Sequence, residues 1–392
     1  MKIIIAGAGE VGTHLAKLLA RENFDILLLE EDAEKIKNLE SSYDLITHVG
    51  SPTSITDLKE TGIHKADLFI AVTPLESVNM TACMLAANLG AKRTLARINN
   101  YEYLQPENRE FFNKLGVHNL IYPEVLAARE ITEGLKTSWL RQNTSFCKDA
   151  LILLGIKVRA NAIIVNQRFS TGFFDHEKYR IVAIKRANKT IIPVGSDMVL
   201  ANDIVYFITT KKHLEFVREH AGKEDFPIKN IMMMGGSRIA QKTIKSLPSY
   251  FNVKVLERDR ERSYSLAEKL GNTMIINCDG RNIELLKEEG IQEMDAFVAV
   301  TSNSEANILA CLAAKRLGVR KTVAEVENID YIMLAESMDI GTVINKKMLA
   351  AAYIYQLTLD ADVLNVRTLT AADAEVVEFV AKSGSKITRS KI

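Results

Sequence analysis

The stretch "MKIIIAGAGEVGTHLAKLLARE", residues 1–22, decides the fold of this chain. It begins with a short apolar run that predicts a buried β-strand and ends with apolar residues at helical spacing. Between these parts lie Gly7, Gly9 and Gly12, at GxGxxG spacing. Glycines at these positions permit a tight turn, a close approach of backbone to phosphate, and close packing of helix on strand. The segment therefore predicts a strand, a phosphate-binding loop and a helix.

Two carboxylates bear on which nucleotide such a loop would hold. Glu30 ends the second predicted strand, "FDILLLEED", 18 residues after Gly12. A carboxylate there accepts hydrogen bonds from ribose hydroxyls, which favours NAD or an adenine nucleotide over NADP. Glu10, inside the loop, would repel a triphosphate, which favours a dinucleotide over ATP. A glycine turn that holds no ligand remains the alternative.

The chain contains the same unit twice. After subtraction of 228, "GIQEMDAFVAVTSNSEAN" (Gly290–Asn307) lies over "GIHKADLFIAVTPLESVN" (Gly62–Asn79), with eight identical residue types in place. Each copy alternates near-continuous apolar strands with helical periodicity, which predicts a parallel sheet covered on both faces. The fold class is therefore α/β, with two Rossmann-like, doubly wound domains.

A β-rich segment, from about Phe146 to Gly222, separates the two copies and predicts a small α+β domain. The expected domain limits are 1–140, 146–225 and 228–360. The remaining residues, 361–392, are expected to be the truncated start of a second small α+β domain, because about thirty residues cannot close such a core.

The second glycine loop reads "GGSRIA", residues 235–240. Ser237 replaces the middle glycine and adds bulk where backbone must approach a phosphate. Glu257 keeps the ribose carboxylate, and Arg238 adds a cation near the loop. The second loop is compatible with weaker binding, with a different ligand, or with packing alone.

Further polar residues follow the predicted strands at the edge where doubly wound sheets bind ligands. Thr73 and Thr301, after the fourth strand of each copy, either contact phosphate or ribose or merely help to cap the next helix with neighbours such as Asn79. Arg97, which ends the fifth strand, is placed to reach a phosphate. Its counterpart in the second copy is Glu325, so that role would be lost or reversed there.

Composition excludes several classes of protein. The formal net charge of +1 gives no support for nucleic-acid binding. No run approaches the roughly 20 apolar residues that a membrane-spanning helix needs, so direct membrane insertion is not expected. The four cysteines form no CxxC pair and predict neither a metal site nor a disulfide framework. Cys83 and Cys311 lie at matching positions of the repeat and are expected to be packed core residues.

Together, "MKIIIAGAGEVG", "AVTPLESVNM", "LARINNYEYL" and "VLERDRERSYSLAEKL" resemble the TrkA family of Trk-system potassium uptake proteins, which alternate TrkA-N (RCK/KTN) and TrkA-C domains. The resemblance covers essentially the whole chain. It implies a cytoplasmic regulatory subunit, peripheral to the inner face of the cell membrane, and not an enzyme. Such a subunit would form a homo-oligomeric ring of RCK domains beneath a TrkH/TrkG-like membrane potassium transporter, and would bind NAD(H), with ADP or ATP as the alternative.

The resemblance also implies nucleotide contacts at matching positions in both copies. In the first copy these are Gly7, Ala8, Gly9, Glu10, Val11, Glu30, Ser51, Pro52, Thr73, Pro74 and Arg97. In the second copy they are Gly235, Gly236, Ser237, Arg238, Ile239 and Glu257.

Two other classes of function stay open at the level of sequence. An NAD-dependent dehydrogenase needs a proton donor or acceptor paired with a carboxylate on a substrate domain. The segment Phe146–Gly222 offers no such pairing, since its His176 stands beside Asp175 and Glu177 in a loop-like stretch. A structural module with vestigial loops would bind no nucleotide.

Overall fold

The computed structural model describes residues 1–20, 24–40, 45–187, 189–358, 363–369, 374–381 and 384–388. The chain divides into two compact units. One unit contains Met1–Leu126 together with Lys346–Leu359, and the other contains Ala127–Asn345 together with Asp360–Ile392.

The first unit is built on a sheet of six parallel strands, which are β1 (Lys2–Ala6), β2 (Asp25–Glu30), β3 (Ile46–Val49), β4 (Leu68–Ala71), β5 (Thr94–Arg97) and β6 (Asn119–Ile121). Their order is β3-β2-β1-β4-β5-β6. Ile3, Ile4 and Ile5 of β1 are fully buried, as expected of a strand with both sheet faces covered. The strand order reverses between β1 and β4, and the crevice at the carboxyl ends of these two strands is where doubly wound sheets bind ligands.

Helices connect these strands: α1 (Glu10–Ala20), α2 (Ala33–Glu40), α3 (Ile55–Glu60), α4 (Glu76–Asn88) and α5 (Pro106–Lys114). A further helix, α6 (Pro123–Lys136), follows β6. Val11, Leu15 and Leu19 of α1 are buried and recur at four-residue spacing, so they form one apolar helix face. Cys83 of α4 is fully buried, which confirms its prediction as a core residue. Burial raises the pKa of the Cys83 thiol, so this side chain is an apolar packing group.

The second unit contains an antiparallel sheet followed by a short helix. Its elements are β7 (Gln142–Phe146), β8 (Leu151–Lys157), β9 (Tyr179–Arg186), β10 (Lys189–Ile191), β11 (Ile204–Thr209) and α7 (Leu214–His220). The strand order is β10-β9-β11-β8-β7. Ile184, Phe207 and Val217 are buried in one cluster that joins the sheet to α7. The small α+β domain predicted between the repeats is therefore present.

A second parallel sheet lies in the same unit. Its strands are β12 (Asn230–Met234), β13 (Asn252–Glu257), β14 (Met274–Asn277), β15 (Ala296–Ala299), β16 (Lys321–Glu325) and β17 (Thr342–Ile344). The helices between them are α8 (Arg238–Ser246), α9 (Arg260–Lys269), α10 (Ile283–Glu288), α11 (Ser304–Arg316) and α12 (Asp330–Ser337). The order β14-β13-β12-β15-β16-β17 reproduces that of the first sheet, which confirms the duplication. Cys311 of α11 is fully buried, as Cys83 is in the first copy.

The helix α13 (Lys346–Thr358) follows the second parallel sheet in sequence but belongs to the first unit. It packs against α1 and buries Ala350, Ala351 and Ile354. Small side chains such as those of Ala350 and Ala351 allow two helices to approach closely. The Arg93 guanidinium also donates to the Leu357 carbonyl, with 3.2 Å between Nη1 and the oxygen.

Two antiparallel strands, β18 (Val363–Thr368) and β19 (Glu375–Phe379), follow α13 in the sequence. Leu369, between them in sequence, is buried with Phe146 and Tyr206 of the antiparallel sheet. The segment expected to begin a second small domain, 361–392, is described in part, because 361–362, 370–373, 382–383 and 389–392 lie outside the described residues.

Two kinds of feature are missing from the part of the chain that the structure describes. No helix there is both long and apolar enough to cross a bilayer. No group of three or more His, Cys, Asp or Glu side chains there is arranged to hold a metal ion.

The packing of α13 can be tested by overfilling it. Ala351→Phe adds a ring at a fully buried position, and overpacking of this kind costs about 1–3 kcal/mol. We expect a lower midpoint of thermal or urea unfolding. Tyr353→Phe, at a position that is 37% exposed on the same helix, should leave the midpoint unchanged. Equal midpoints for Ala351→Phe and the unmodified chain would contradict the packing of α13.

Candidate functional site

The first glycine loop connects β1 to α1, and its three glycines have different reasons to lack a side chain. Gly7 has a φ of +107°, and a Cβ there would lie 3.0 Å from the Thr73 amide nitrogen. A Cβ at Gly12 would lie 1.9 Å from the Gly7 carbonyl oxygen. At Gly9, by contrast, nothing lies within 4 Å of the position a Cβ would take. Packing of the described residues therefore requires Gly7 and Gly12, whereas Gly9 leaves space that a ligand can use.

Glu30 is held against this loop. Its Oε2 accepts a hydrogen bond of 2.7 Å from the Ala8 amide, and its Oε1 accepts one of 3.2 Å from the Asp32 amide. Lys35 Nζ lies 3.7 Å from Oε1. The carboxylate therefore stands at the crevice mouth as an oriented acceptor, suited to ribose hydroxyls and unfavourable to a 2′-phosphate.

The phosphate-binding groups next to Glu30 come from the helix. The Ala8 amide is occupied by Glu30, so a phosphate would meet the first amides of α1, which have no partners within a helix. The side chain of Val11 is buried, so only its backbone is available to a ligand. Gly9 itself contributes backbone with open space above it.

Glu10, expected to repel a triphosphate, has a cationic partner. Its Oε2 lies 2.5 Å from Nζ of Lys347, which comes from the first turn of α13. The pair has no net charge, so the repulsion that favoured a dinucleotide over ATP is largely offset. Lys347 was missed by the sequence analysis because it is 337 residues away from Glu10.

Thr73 and Thr301 are both engaged by an asparagine. The hydroxyl of Thr73 donates to Asn79 Oδ1 at 2.7 Å, and Asn79 Nδ2 donates to the carbonyls of Thr73 and Arg97 at 3.0 and 2.9 Å. In the second copy Thr301 donates to Asn307 Oδ1 at 2.6 Å. Each buried asparagine thus ties together the ends of two strands and the start of a helix. This geometry favours the structural interpretation of the two threonines, and ligand contact by Thr73 stays a prediction.

The predicted contacts Ser51, Pro52 and Pro74 lie at the same edge of the sheet. Ser51 and Pro52 follow β3, and the Ser51 amide donates to Asp57 Oδ2 at 2.7 Å. This bond and the Ser54 hydroxyl lower the pKa of Asp57. Pro52 is buried and Pro74, after β4, is exposed. Their contact with a ligand stays a prediction.

Arg97 ends β5 with an unsatisfied donor. Its Nε is buried and has no hydrogen-bond acceptor among the described residues. A buried guanidinium N–H without a partner costs free energy, and a phosphate oxygen would supply the missing acceptor. The counterpart Glu325 is a buried carboxylate, 2% exposed, so the two copies differ in charge at this point.

The second loop has the same acid geometry as the first. Glu257 Oε2 accepts from the Gly236 amide at 2.9 Å, and its Oε1 accepts from the Asp259 amide at 3.0 Å. Ser237 caps α8, its hydroxyl accepting from the Ala240 amide at 3.4 Å. Gly236 is closely packed, because a Cβ would lie 2.1 Å from Leu266 Cδ1, so a side chain here would require Leu266 to shift.

A cavity of about 420 Å³ opens above this second loop. Gly235, Gly236, Ser237 and Glu257 line it, whereas Ile239 is buried and Arg238 is exposed at the helix start. The bulk of Ser237 therefore does not close the crevice.

Three arginines that the sequence analysis missed line the same cavity: Arg258, Arg262 and Arg281. Arg281 forms an ion pair with Asp279 at 2.5 Å, which lowers the pKa of Asp279 to about 2. Arg258 and Arg281 follow the carboxyl ends of β13 and β14, and that placement is the signal that could have identified them.

Comparison with known proteins identifies the relatives of this arrangement. The TrkA-N domain family matches residues 3–123 and 231–346, and the TrkA-C domain family matches residues 153–222. A protein of Haemophilus influenzae named Trk system potassium uptake protein TrkA is 35% identical over 386 residues, which are 97% of this chain and 84% of that protein.

Two solved structures share the fold at low identity. "GsuK channel bound to NAD" has a TM-score of 0.63 and 15% identity, over 91% of this chain and 63% of that chain. "Crystal structure of the GsuK bound to ADP" has a TM-score of 0.56 and 13% identity, over 91% of this chain and 68% of that chain. Neither these structures nor the relative is a dehydrogenase by name.

The different roles of the glycines can be tested by stability. Gly12→Ala is expected to destabilise the first unit by about 1–3 kcal/mol, because its Cβ overlaps the Gly7 carbonyl. Gly9→Ala is expected to cost less than about 1 kcal/mol, since it meets no neighbour. Thermal unfolding by calorimetry measures both. A Gly9→Ala variant as unstable as Gly12→Ala would show that the space above Gly9 is filled by the protein.

Proposed function

This chain belongs to the TrkA family of potassium uptake proteins, and on that premise we propose that it binds NAD(H) or an adenine nucleotide and thereby gates a membrane potassium transporter. It acts as a cytosolic subunit at the inner face of the cell membrane, in a homo-oligomeric ring beneath a TrkH/TrkG-like partner, and catalyses no reaction. In this proposal its domains span residues 1–140, 146–225, 228–360 and 361–392.

One observation carries the nucleotide-binding part of the proposal. In both copies, the carboxylate that ends the second strand accepts a hydrogen bond from a glycine-loop amide, Ala8 to Glu30 and Gly236 to Glu257. The first copy has open space at Gly9 and the second has a cavity of about 420 Å³. Two loops with this geometry suit an adenosine diphosphate group, whose ribose would meet the carboxylate and whose phosphates would meet the helix amides.

The described residues of the first site fit such a ligand. Glu30 offers ribose acceptors, α1 offers its first amides, and Arg97 offers a buried Nε–H that lacks an acceptor within the described residues. NAD and ADP share the adenosine diphosphate group, so either ligand would use these same acceptors and amides. Discrimination between them must therefore come from residues beyond the second phosphate.

Through Lys347, a ligand at the first loop would affect a helix from the C-terminal half of the sequence. It pairs with Glu10 beside the loop, and its helix, α13, directly follows β17 in the chain. Phosphate bound at α1 would compete with Glu10 for the Lys347 ammonium. A ligand that alters this ion pair changes how firmly α13 is held on α1, and differential binding of this kind is what shifts a conformational equilibrium.

The role of Glu30 can be tested by titration calorimetry of the full chain with NADH, NADPH, ADP and ATP. We expect Glu30→Gln to weaken NADH and ADP binding about tenfold to a hundredfold, because hydrogen bonds to a charged acceptor contribute about 1.5–3 kcal/mol. NADPH should be weakened less, since its 2′-phosphate no longer faces a carboxylate. Glu31→Gln is the matched control, because it removes the same charge from an exposed neighbouring position.

Two results would contradict this assignment. Unchanged NADH affinity in Glu30→Gln would place the ribose elsewhere, and substrate-dependent reduction of NAD by the purified chain would identify an enzyme.

Gly9→Val fills the open space above the loop and should weaken the binding of every nucleotide alike.

The ion pair at the loop generates a separate prediction. Lys347→Met leaves Glu10 as an unbalanced charge near the phosphates, so ATP should bind about threefold to tenfold more weakly, with a smaller loss for NADH. The double variant Glu10→Gln with Lys347→Met should recover most of the ATP affinity. Equal losses in the single and double variants would show that Lys347 does not act through Glu10.

A further inference from the structure

A cationic site lies in the second unit and shares no lining residue with the cavity above the second glycine loop. A cavity of about 340 Å³ opens between the antiparallel sheet and the second parallel sheet. Its lining includes six cationic side chains from both sheets and the segments next to them: Arg141, Lys157, Arg159, Lys223, Lys315 and Lys321. A seventh cation, Arg320, stacks 3.9 Å over the Phe226 ring and pairs with Glu224 at 3.4 Å.

A single carboxylate, Asp339, faces most of these cations. Its Oδ1 lies 2.6 Å from Arg141 Nη2 and 2.9 Å from Lys157 Nζ, and its Oδ2 lies 3.0 Å from Lys315 Nζ. Oδ2 also accepts a hydrogen bond from Arg159 Nη2. Burial alone would raise the pKa of Asp339, but these hydrogen bonds and the charge of Arg141 hold it far below its usual range. Four cations therefore share one negative charge.

Lys223 and Lys321 add to this imbalance. Lys321 is 6% exposed, and its Nζ donates to the Leu140 carbonyl at 2.6 Å. Within the described residues, neither lysine has a carboxylate at ion-pair distance. Burial, with the charge of Arg141 nearby, lowers the pKa of Lys321 to about 7 and that of Lys223 to about 8. The Glu336 carboxyl also lies near Arg141, and burial raises its pKa.

The cluster is a property of the second copy and not of the repeated fold. After subtraction of 228, Asp339 corresponds to Phe111, which is 59% exposed, and Lys321 corresponds to the exposed Arg93. Arg141, Lys157 and Arg159 come from the β7–β8 region of the antiparallel sheet, which is not part of the repeat. Within the described residues, this cluster forms where the antiparallel sheet meets the second parallel sheet.

We propose that this cavity binds a compact polyphosphate anion, such as inorganic pyrophosphate or the diphosphate of a nucleotide, through Arg141, Lys223 and Lys321. A partly closed cavity lined by unbalanced cations concentrates a multiply charged anion, and guanidinium groups bind phosphate oxygens in pairs. The volume is at the lower end of small-molecule sites and suits a ligand of this size. Binding would supply the negative charge that buried Lys321 lacks, and it would hold the antiparallel sheet to the second parallel sheet.

Titration of the full chain with inorganic pyrophosphate tests the site. We expect binding that Lys321→Met weakens at least tenfold, together with a pyrophosphate-dependent rise in melting temperature that this variant loses. The substitution replaces a buried ammonium by an apolar chain of similar length, so the variant should fold at least as stably. Lys212→Met, which removes an exposed cation outside the cavity, should bind pyrophosphate like the unmodified chain.

Asp339→Asn removes the negative charge from the same site, whereas Lys321→Met removes a positive one. Without its carboxylate, the chain should melt at a lower temperature, and pyrophosphate should raise that temperature by more than in the unmodified chain. ADP distinguishes a nucleotide diphosphate from inorganic pyrophosphate. If ADP binds more tightly than pyrophosphate in a Gly9→Val background, and Lys321→Met weakens that binding, the cavity binds a nucleotide diphosphate.

Three outcomes would overturn the proposal. Pyrophosphate that binds no better than sulfate would show a non-specific cationic surface. Affinity unchanged by Lys321→Met would exclude the cavity, and affinity lost in Arg281→Gln instead would place pyrophosphate at the second glycine loop. Because Glu30→Gln should leave pyrophosphate binding unchanged, failure here is distinguishable from failure of the proposed nucleotide site.

Discussion

The hydrogen bond from a glycine-loop amide to the acid that ends the second strand organises both halves of this protein. In the first copy it joins Ala8 to Glu30, and in the second it joins Gly236 to Glu257. It orients the carboxylate at the point where strand order reverses, and a parallel sheet leaves that point open. The candidate site therefore follows from sheet topology together with one acidic residue.

The two copies share this hydrogen bond and the same strand order, but the charges around the bond differ. Glu10 of the first loop is paired with Lys347, whereas the corresponding position in the second copy is the exposed Arg238. Arg97 with its unsatisfied Nε is matched by the buried Glu325. Identical strand order thus supports two crevices of different electrostatic character, and the two need not hold the same ligand with equal affinity.

Several local features of the fold and the site could be predicted from the sequence. Alternation of apolar strands with helical periodicity is a local property, and so is the glycine spacing that precedes α1. Those patterns predicted both parallel sheets, the small domain between them and the buried Cys83 and Cys311. The threonines after the fourth strands were ambiguous, because only the folded chain shows that Asn79 and Asn307 engage their hydroxyls.

By itself, the sequence determined the repeated doubly wound fold and the edge of each sheet at which a ligand would lie, since both depend on short-range periodicity. Tertiary structure alone decided which distant charges meet. Lys347 pairs with Glu10, 337 residues away in the sequence. Asp339 pairs with cations that come from another sheet, namely Arg141, Lys157 and Arg159. Ion pairs of this kind carry no periodic signal, because a charged side chain can find its partner on any element that packing brings within a few ångströms.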